Sequence, residues 1–181
     1  MCAIALTAPL PAAAQQEQLY VVEGPGRMAC SDFSGLDPAS DQARGVAAWL
    51  TGYMTAHQRL MSDVFDLTPW QTVPVLLSLL RQYCDANGEA KVEEGAQQLV
   101  AYLRPGALTE PAKVVAVGSG KNVVLLYAPV VAEVRKKLSE AGHRAGPSME
   151  ELADALRAYQ AENDLPQTGL PDQSTLVTLL R

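Results

Sequence analysis

Aromatic residues are scarce in this 181-residue chain, at 6%, although hydrophobic residues reach 48%. A core built from such a composition is mostly Leu, Val and Ala, and Leu- and Ala-rich stretches favour helices over sheets. Basic residues are outnumbered, 14 against 20 acidic, which gives a net charge of -6 and a pI near 4.9. Nucleic acid is therefore excluded as a general partner, because phosphate backbones are bound by clustered Lys and Arg. Histidine occurs twice, at His57 and His143, and neither lies beside a nucleophile motif. H-E-x-x-H, G-x-S-x-G and a Cys/His metal set are all missing, so the expectation is a protein without catalytic activity, metal or cofactor. Glu93-Glu94 and Glu150-Glu151 are helix neighbours that cannot face each other as an acid/base pair, and they read as solvated faces. Gly118-Ser119-Gly120-Lys121 fails as a phosphate loop: Val115 stands where the first glycine is needed, and Asn122 replaces the metal-binding hydroxyl.

Long apolar runs are also absent, and the N-terminal one falls short of the ~20 residues that span a bilayer. That run, Met1 to Leu10, leads into Pro11-Ala12-Ala13-Ala14 and then Gln15-Gln16. An apolar stretch, small residues at Ala12 and Ala14 and a polar turn describe the second half of a secretory leader, with cleavage expected after Ala14. The basic stretch that begins such leaders is missing, so the expectation is a true start upstream of Met1; an ordinary N-terminal tail is the other reading. Residues 15–27 read as a flexible lead-in with a Gly24-Pro25-Gly26 turn.

Of three cysteines, Cys2 would leave with the leader, and Cys30 and Cys84 remain. An even pair in an oxidising compartment suggests a disulfide, and two buried free thiols are the alternative. A bridge of that span stabilises by about 4 kcal/mol in the chain-entropy account.

Apolar spacing predicts helices. Val46, Trp49, Leu50, Tyr53 and Met54 mark one that begins near Asp37-Pro38-Ala39-Ser40 and runs to about His57. Thr68-Pro69-Trp70 reads as the start of a second, with Thr68 as cap and a stripe through Leu76, Leu80 and Tyr83. A third is expected from about Glu89 to Leu103, after an Asn87-Gly88 stop. The β-branched runs Lys113–Val117 and Asn122–Tyr127 flank the glycine turn and suggest a hairpin within a connector, 105–127. Three more helices follow. One runs from Val131 to Ala141, with Arg135, Lys136 and Lys137 as a basic surface. Another runs from Met149 to Glu162, with Ser148 and Glu151 forming a capping box, and the last from Asp172 to Leu180.

The last third shows Leu138 with Gly142, Tyr159-Gln160, Leu165, Thr168-Gly169, Asp172, Thr175 and Leu179. In that pattern residues 128–181 resemble the peptidoglycan-binding-like three-helix domain. Many members carry Asp-Gly-x-aromatic-Gly between the first two helices; here His143-Arg144-Ala145-Gly146-Pro147 stands in its place. The resemblance implies peptidoglycan as partner, with Arg144, Tyr159, Gln160 and Thr168 as candidate contacts. Tyr159 and Thr168 could instead serve only the fold.

Residues 28–104 carry Cys30 with Phe33 and Asp37, Trp49-Leu50-Thr51-Gly52-Tyr53 on a helix, and Tyr83-Cys84 at a helix end. These features resemble the HdeA/HdeB-type periplasmic acid-stress proteins, in which the cysteine pair staples a small helical bundle. That implies a periplasmic address and, as one alternative function, an acid- or envelope-stress chaperone with a protein client. An immunity or accessory protein of similar helical build is another. The fold expected is mainly α: a disulfide-stapled bundle, a short β-hairpin connector and a C-terminal three-helix domain.

Overall fold

The computed structural model describes residues 20–181. The expected leader and its cleavage site after Ala14 lie outside the described residues. Helices α1 (Cys30–Ser34), α2 (Asp41–Leu60), α3 (Val73–Ala86) and α4 (Val92–Leu103) come first. A hairpin of β1 (Val114–Ser119) and β2 (Asn122–Tyr127) follows, and then α5 (Ala128–Glu140), α6 (Met149–Glu162) and α7 (Gln173–Leu180). The fold is mainly helical, as the composition implies.

Two hydrophobic cores form. The first is filled by Phe33, Leu50, Leu67, Leu80 and Val92, with the Cys30–Cys84 disulfide at its centre. The Cα atoms of the two cysteines are 4.6 Å apart, so α1 is bonded directly to the end of α3. Arg81 reinforces that junction. Its guanidinium lies 5.1 Å from the Phe33 ring centroid and donates to the carbonyls of Ser34 and Leu36.

The second core holds Leu138, Leu152, Leu156, Tyr159, Leu176 and Leu179, with Leu165 packed at its margin. Val117 and Leu126 are buried in it too, so the hairpin does more than connect. One face of the antiparallel pair seals the C-terminal helices, and Gly120-Lys121 makes its two-residue turn. Gly118 has a φ of 124°, and a Cβ there would come within 2.2 Å of the Asn122 carbonyl oxygen. Glycine is the residue that tolerates both demands.

Four local expectations are corrected. The second helix starts at Val73, not near Thr68-Pro69. Asp66 Oδ1 instead accepts from the Thr68 amide at 2.9 Å, and Gln58 Oε1 accepts from the Leu67 amide at 2.7 Å. The segment stays irregular because Leu67 fills the first core while Trp70 packs against the second. Helix α4 starts at Val92, later than Glu89. The residues before it pair with the strand-like chain ahead of α1: the Cys30 amide donates to the Ala90 carbonyl, and the Val92 amide to the Met28 carbonyl.

The lead-in is not loose from Tyr20 onward. Residues Gly24–Arg27 form a 3-10 turn against Trp49, where a Cβ on Gly26 would fall 2.4 Å from the indole. Finally, Glu93 is not a solvated residue. It is 4% exposed, and its Oε1 accepts from Tyr20 Oη at 2.9 Å, Tyr53 Oη at 3.0 Å and Gln97 Nε2 at 2.7 Å. Burial first, and then the Glu93 carboxylate, hold the Tyr53 phenol far above its ordinary range. Glu94, Glu150 and Glu151 are exposed, as expected.

Candidate functional site: the C-terminal three-helix domain

Each loop of the C-terminal domain is fixed by a specific device. Helix α5 ends in a Schellman turn: the His143 amide donates to the Leu138 carbonyl at 2.8 Å and the Gly142 amide to the Ser139 carbonyl at 3.1 Å. Gly142, at φ 89°, occupies the left-handed position that this turn requires. This is the structural content of the Leu-x-x-x-Gly spacing.

The loop 143–148 is clamped from below. The Arg135 guanidinium donates to the carbonyls of Gly146 and Ser148, so this cation braces the loop and does not form a free basic surface. Lys136 and Lys137 pair with acids of their own helix, Glu133 and Glu140. Ser148 caps α6, and Glu151 reaches back to the Ser148 amide at 3.0 Å. Those backbone and hydroxyl hydrogen bonds from Ser148 hold the Glu151 carboxyl below its usual range, with Arg144 and Arg135 adding to the effect.

Between α6 and α7 the organising residue is Gln160, which is fully buried. Its Nε2 faces Thr168 Oγ1 at 3.1 Å, the Leu170 carbonyl at 2.9 Å and Thr175 Oγ1 at 2.8 Å. Its Oε1 accepts from the Gly169 amide at 2.9 Å. One side chain thus satisfies the backbone of the Thr168-Gly169-Leu170 turn, which would otherwise strand polar groups in the core. Asp172 completes the network: it caps α7 through the Thr175 amide at 3.0 Å and accepts from Thr168 Oγ1 at 2.7 Å. Burial pushes the Asp172 carboxyl up, but hydrogen bonds from Thr168, Ser174 and Thr175 outweigh it and the net shift is downward.

The candidate contact residues therefore separate. Gln160 is turned wholly inward and Tyr159 is 7% exposed, packed edge-on to His143 at 5.7 Å. Both side chains are packed into the fold. Thr168 is exposed, but its hydroxyl is committed to Asp172. Arg144 is exposed on the clamped loop and forms no ion pair within 4.0 Å among the described residues. Of the four, Arg144 alone presents a charged group to solvent. His143, its neighbour, has Nε2 2.9 Å from Glu162 Oε2. No group of three or more potential metal ligands occurs among the described residues, and no helix among them is long and apolar enough to cross a membrane.

The geometry is that of a compact three-helix domain whose turns are held by a buried glutamine and an acidic helix cap. Residues 128–179 match the family model described as "Putative peptidoglycan binding domain". The C-terminal part of the chain is thus a peptidoglycan-binding-type domain, and peptidoglycan is the class of partner it supports. The match stops at Ala128 on the N-terminal side and lends no support to the HdeA-type resemblance of the bundle. No curated protein and no solved structure matches the chain.

Proposed function

We propose that this is a non-enzymatic protein of the bacterial periplasm, exported by a cleaved leader and held at peptidoglycan by its C-terminal domain. The disulfide-stapled bundle, which resembles HdeA-type proteins in its cysteine and Trp-x-x-Gly-Tyr placement, is the cargo of that tether. The observation that carries the reading is the family match over residues 128–179. The Cys30–Cys84 bond supports the address, because disulfides persist in oxidising compartments. On the domain surface Arg144 is the contact residue: an exposed guanidinium on a braced loop is suited to the carboxylates of wall peptides.

The test is sedimentation of the purified protein with isolated sacculi. Wild type is expected in the pellet, and Arg144→Ala is expected to retain at most a third of the pelleted fraction. If wild type stays in the supernatant, wall binding is wrong. If Arg144→Ala pellets as well as wild type, the polymer is held elsewhere on the domain.

A further inference from the structure

The hairpin hides one face and bares the other. Val117 and Leu126 enter the second core, whereas Val114, Val123 and Leu125, on the opposite face, are 50%, 43% and 66% exposed. The two strands form a sheet by themselves, so each has a free edge. The phase of the ladder fixes which groups those edges offer. The Ala128 amide donates to the Lys113 carbonyl at 2.8 Å, and hydrogen-bonded pairs alternate with non-bonded ones along an antiparallel ladder. Ala116 with Leu125 and Gly118 with Val123 are therefore non-bonded pairs, whose amides and carbonyls point away from the neighbouring strand. On β2 the outward groups are those of Val123 and Leu125 and the amide of Tyr127, while the Tyr127 carbonyl caps α5. Among the described residues Val123 and Leu125 meet no backbone partner on that side.

The two edges are not equivalent. Strand β1 is distorted at Gly118, and Leu170 lies against that glycine: a Cβ there would be 2.7 Å from Leu170 Cδ2. Strand β2 runs from Asn122 to Tyr127 without proline, glycine or charge, the devices that keep an edge strand from pairing. A bare apolar edge is a template for another strand. The layout of charge selects which strand. Lys121 is the one charged residue between Val114 and Tyr127, and it sits at the tip of the hairpin. At the other end Phe65 meets Tyr127 edge-on at 6.2 Å, which brings Asp66 there. Burial first, and then the Asp66 carboxylate, raise the Tyr127 phenol. An edge with a cation at one end and an acid at the other complements an antiparallel copy of itself.

We infer that β2 pairs antiparallel with β2 of a second copy of this chain, across a two-fold axis at Leu125, to give a four-stranded sheet. In that register Leu125 faces its own counterpart and Val123 faces Tyr127 of the partner subunit. The outward groups of the two edges then meet in about four hydrogen bonds. Each Lys121 lies two positions beyond Val123 and comes over the acid at the far end of the other hairpin. The exposed faces join into one apolar surface, and each inner face stays on its own helices. The distorted β1 strands become the outer edges, so the assembly closes at two copies. A six-residue edge buries less than the ~800 Å² per partner of a standard interface, so the dimer is reversible and concentration-dependent. The inference is independent of wall binding.

Sedimentation velocity of the full chain, over a series from about 5 µM to 1 mM, reads the association. Wild type is expected to pass from monomer to dimer and no further. Leu125→Lys sets two lysines face to face at the axis and is expected to weaken association about tenfold or more. Leu125→Pro deletes an outward amide and leaves the hairpin's own ladder intact, and it is expected to do the same. Lys121→Glu is expected to weaken association several-fold at low salt, with the loss shrinking as salt is added. Cross-linking in a Cys2→Ser background locates the axis. Leu125→Cys is expected to give a disulfide-linked dimer, because hydrogen-bonded pairs lie ~5.5 Å apart at Cα, within the ~4.4–6.8 Å that a disulfide spans. Ala116→Cys, exposed on the same face but on β1, is expected to stay unlinked. A monomer at every concentration overturns the proposal, as does a dimer that Leu125→Lys leaves unchanged. Linkage through Ala116 in preference to Leu125 moves the contact off the β2 edge and overturns it too. A monomer whose Val123 and Leu125 amides are nonetheless slow to exchange gives the edge to a different strand and overturns the second copy as occupant.

Discussion

Replacing Gln160 by Ala should cost the C-terminal domain about 3–5 kcal/mol. The side chain is fully buried and hydrogen-bonds to four groups, of which Gly169 and Thr175 are buried, Leu170 is half-buried and Thr168 is exposed. Two of them can re-pair: Thr168 and Thr175 hydroxyls keep their bonds to Asp172. The other two cannot. The Gly169 amide and the Leu170 carbonyl lose the acceptor and the donor that Gln160 supplies, and an unsatisfied buried polar group costs ~1–3 kcal/mol. The deleted methylene and amide atoms leave a void that adds to this. Small domains hold only ~5–15 kcal/mol in all, so the loss is a large share. Urea unfolding followed through Trp70, which packs against this core, reads the effect separately from Trp49, which packs against the other. A Trp49→Phe background isolates the signal. Gln160→Glu should do no better, because its second oxygen cannot donate to the Leu170 carbonyl. A change below about 1 kcal/mol in Gln160→Ala would show that the turn re-forms without its central side chain, and the account of this network would be wrong.

Reducing the Cys30–Cys84 bond, or replacing both residues by Ala, should destabilise the bundle by about 4 kcal/mol for a 54-residue separation. Denaturant unfolding with and without reductant measures it, and the Trp70 transition should move less than the Trp49 transition. Acid should loosen the C-terminal domain through Asp172. Its folded-state value is depressed, so its contribution is present above the ordinary Asp range and is lost as pH falls through the lower folded value. Asp172→Asn should flatten that acid limb in a pH series of unfolding midpoints; an unaltered limb would assign the acid sensitivity to other groups.

Much of the fold was legible because the relevant signals are local. Ser148 and Glu151 lie within one helical turn, and Leu138 with Gly142 marks a helix end whose hydrogen bonds close over five residues. The cysteine pair was readable as a pair, though the alternative of free thiols needed coordinates to remove. What escaped were partners distant in sequence. Glu93 looks like half of a surface acid pair until Tyr53 and Tyr20 arrive from 40 and 73 positions away. Thr68-Pro69 carries the local marks of a helix start, but Leu67 and Trp70 are pulled into different cores and the backbone stays irregular between them. The Tyr159-Gln160 motif gives the position of Gln160 but not the inward direction of its side chain. The hydrogen bond from Arg181 to Gln82 has no local signature, since the two residues lie 99 positions apart.

The split loyalty of the loop between α2 and α3 has a mechanical consequence. Leu67 is embedded in one core and Trp70 leans on the other, while Phe65 meets Tyr127 edge-on at 6.2 Å. A load applied through the C-terminal domain would therefore not travel only along the covalent path through residues 104–113. Part of it would enter the bundle sideways, through the four residues Leu67 to Trp70, anchored in the core that also holds the Cys30–Cys84 staple. A protein moored at one end and dragged at the other would deform first at Trp70, and Trp70→Ala should lower the force at which the two halves part in a single-molecule pulling trace.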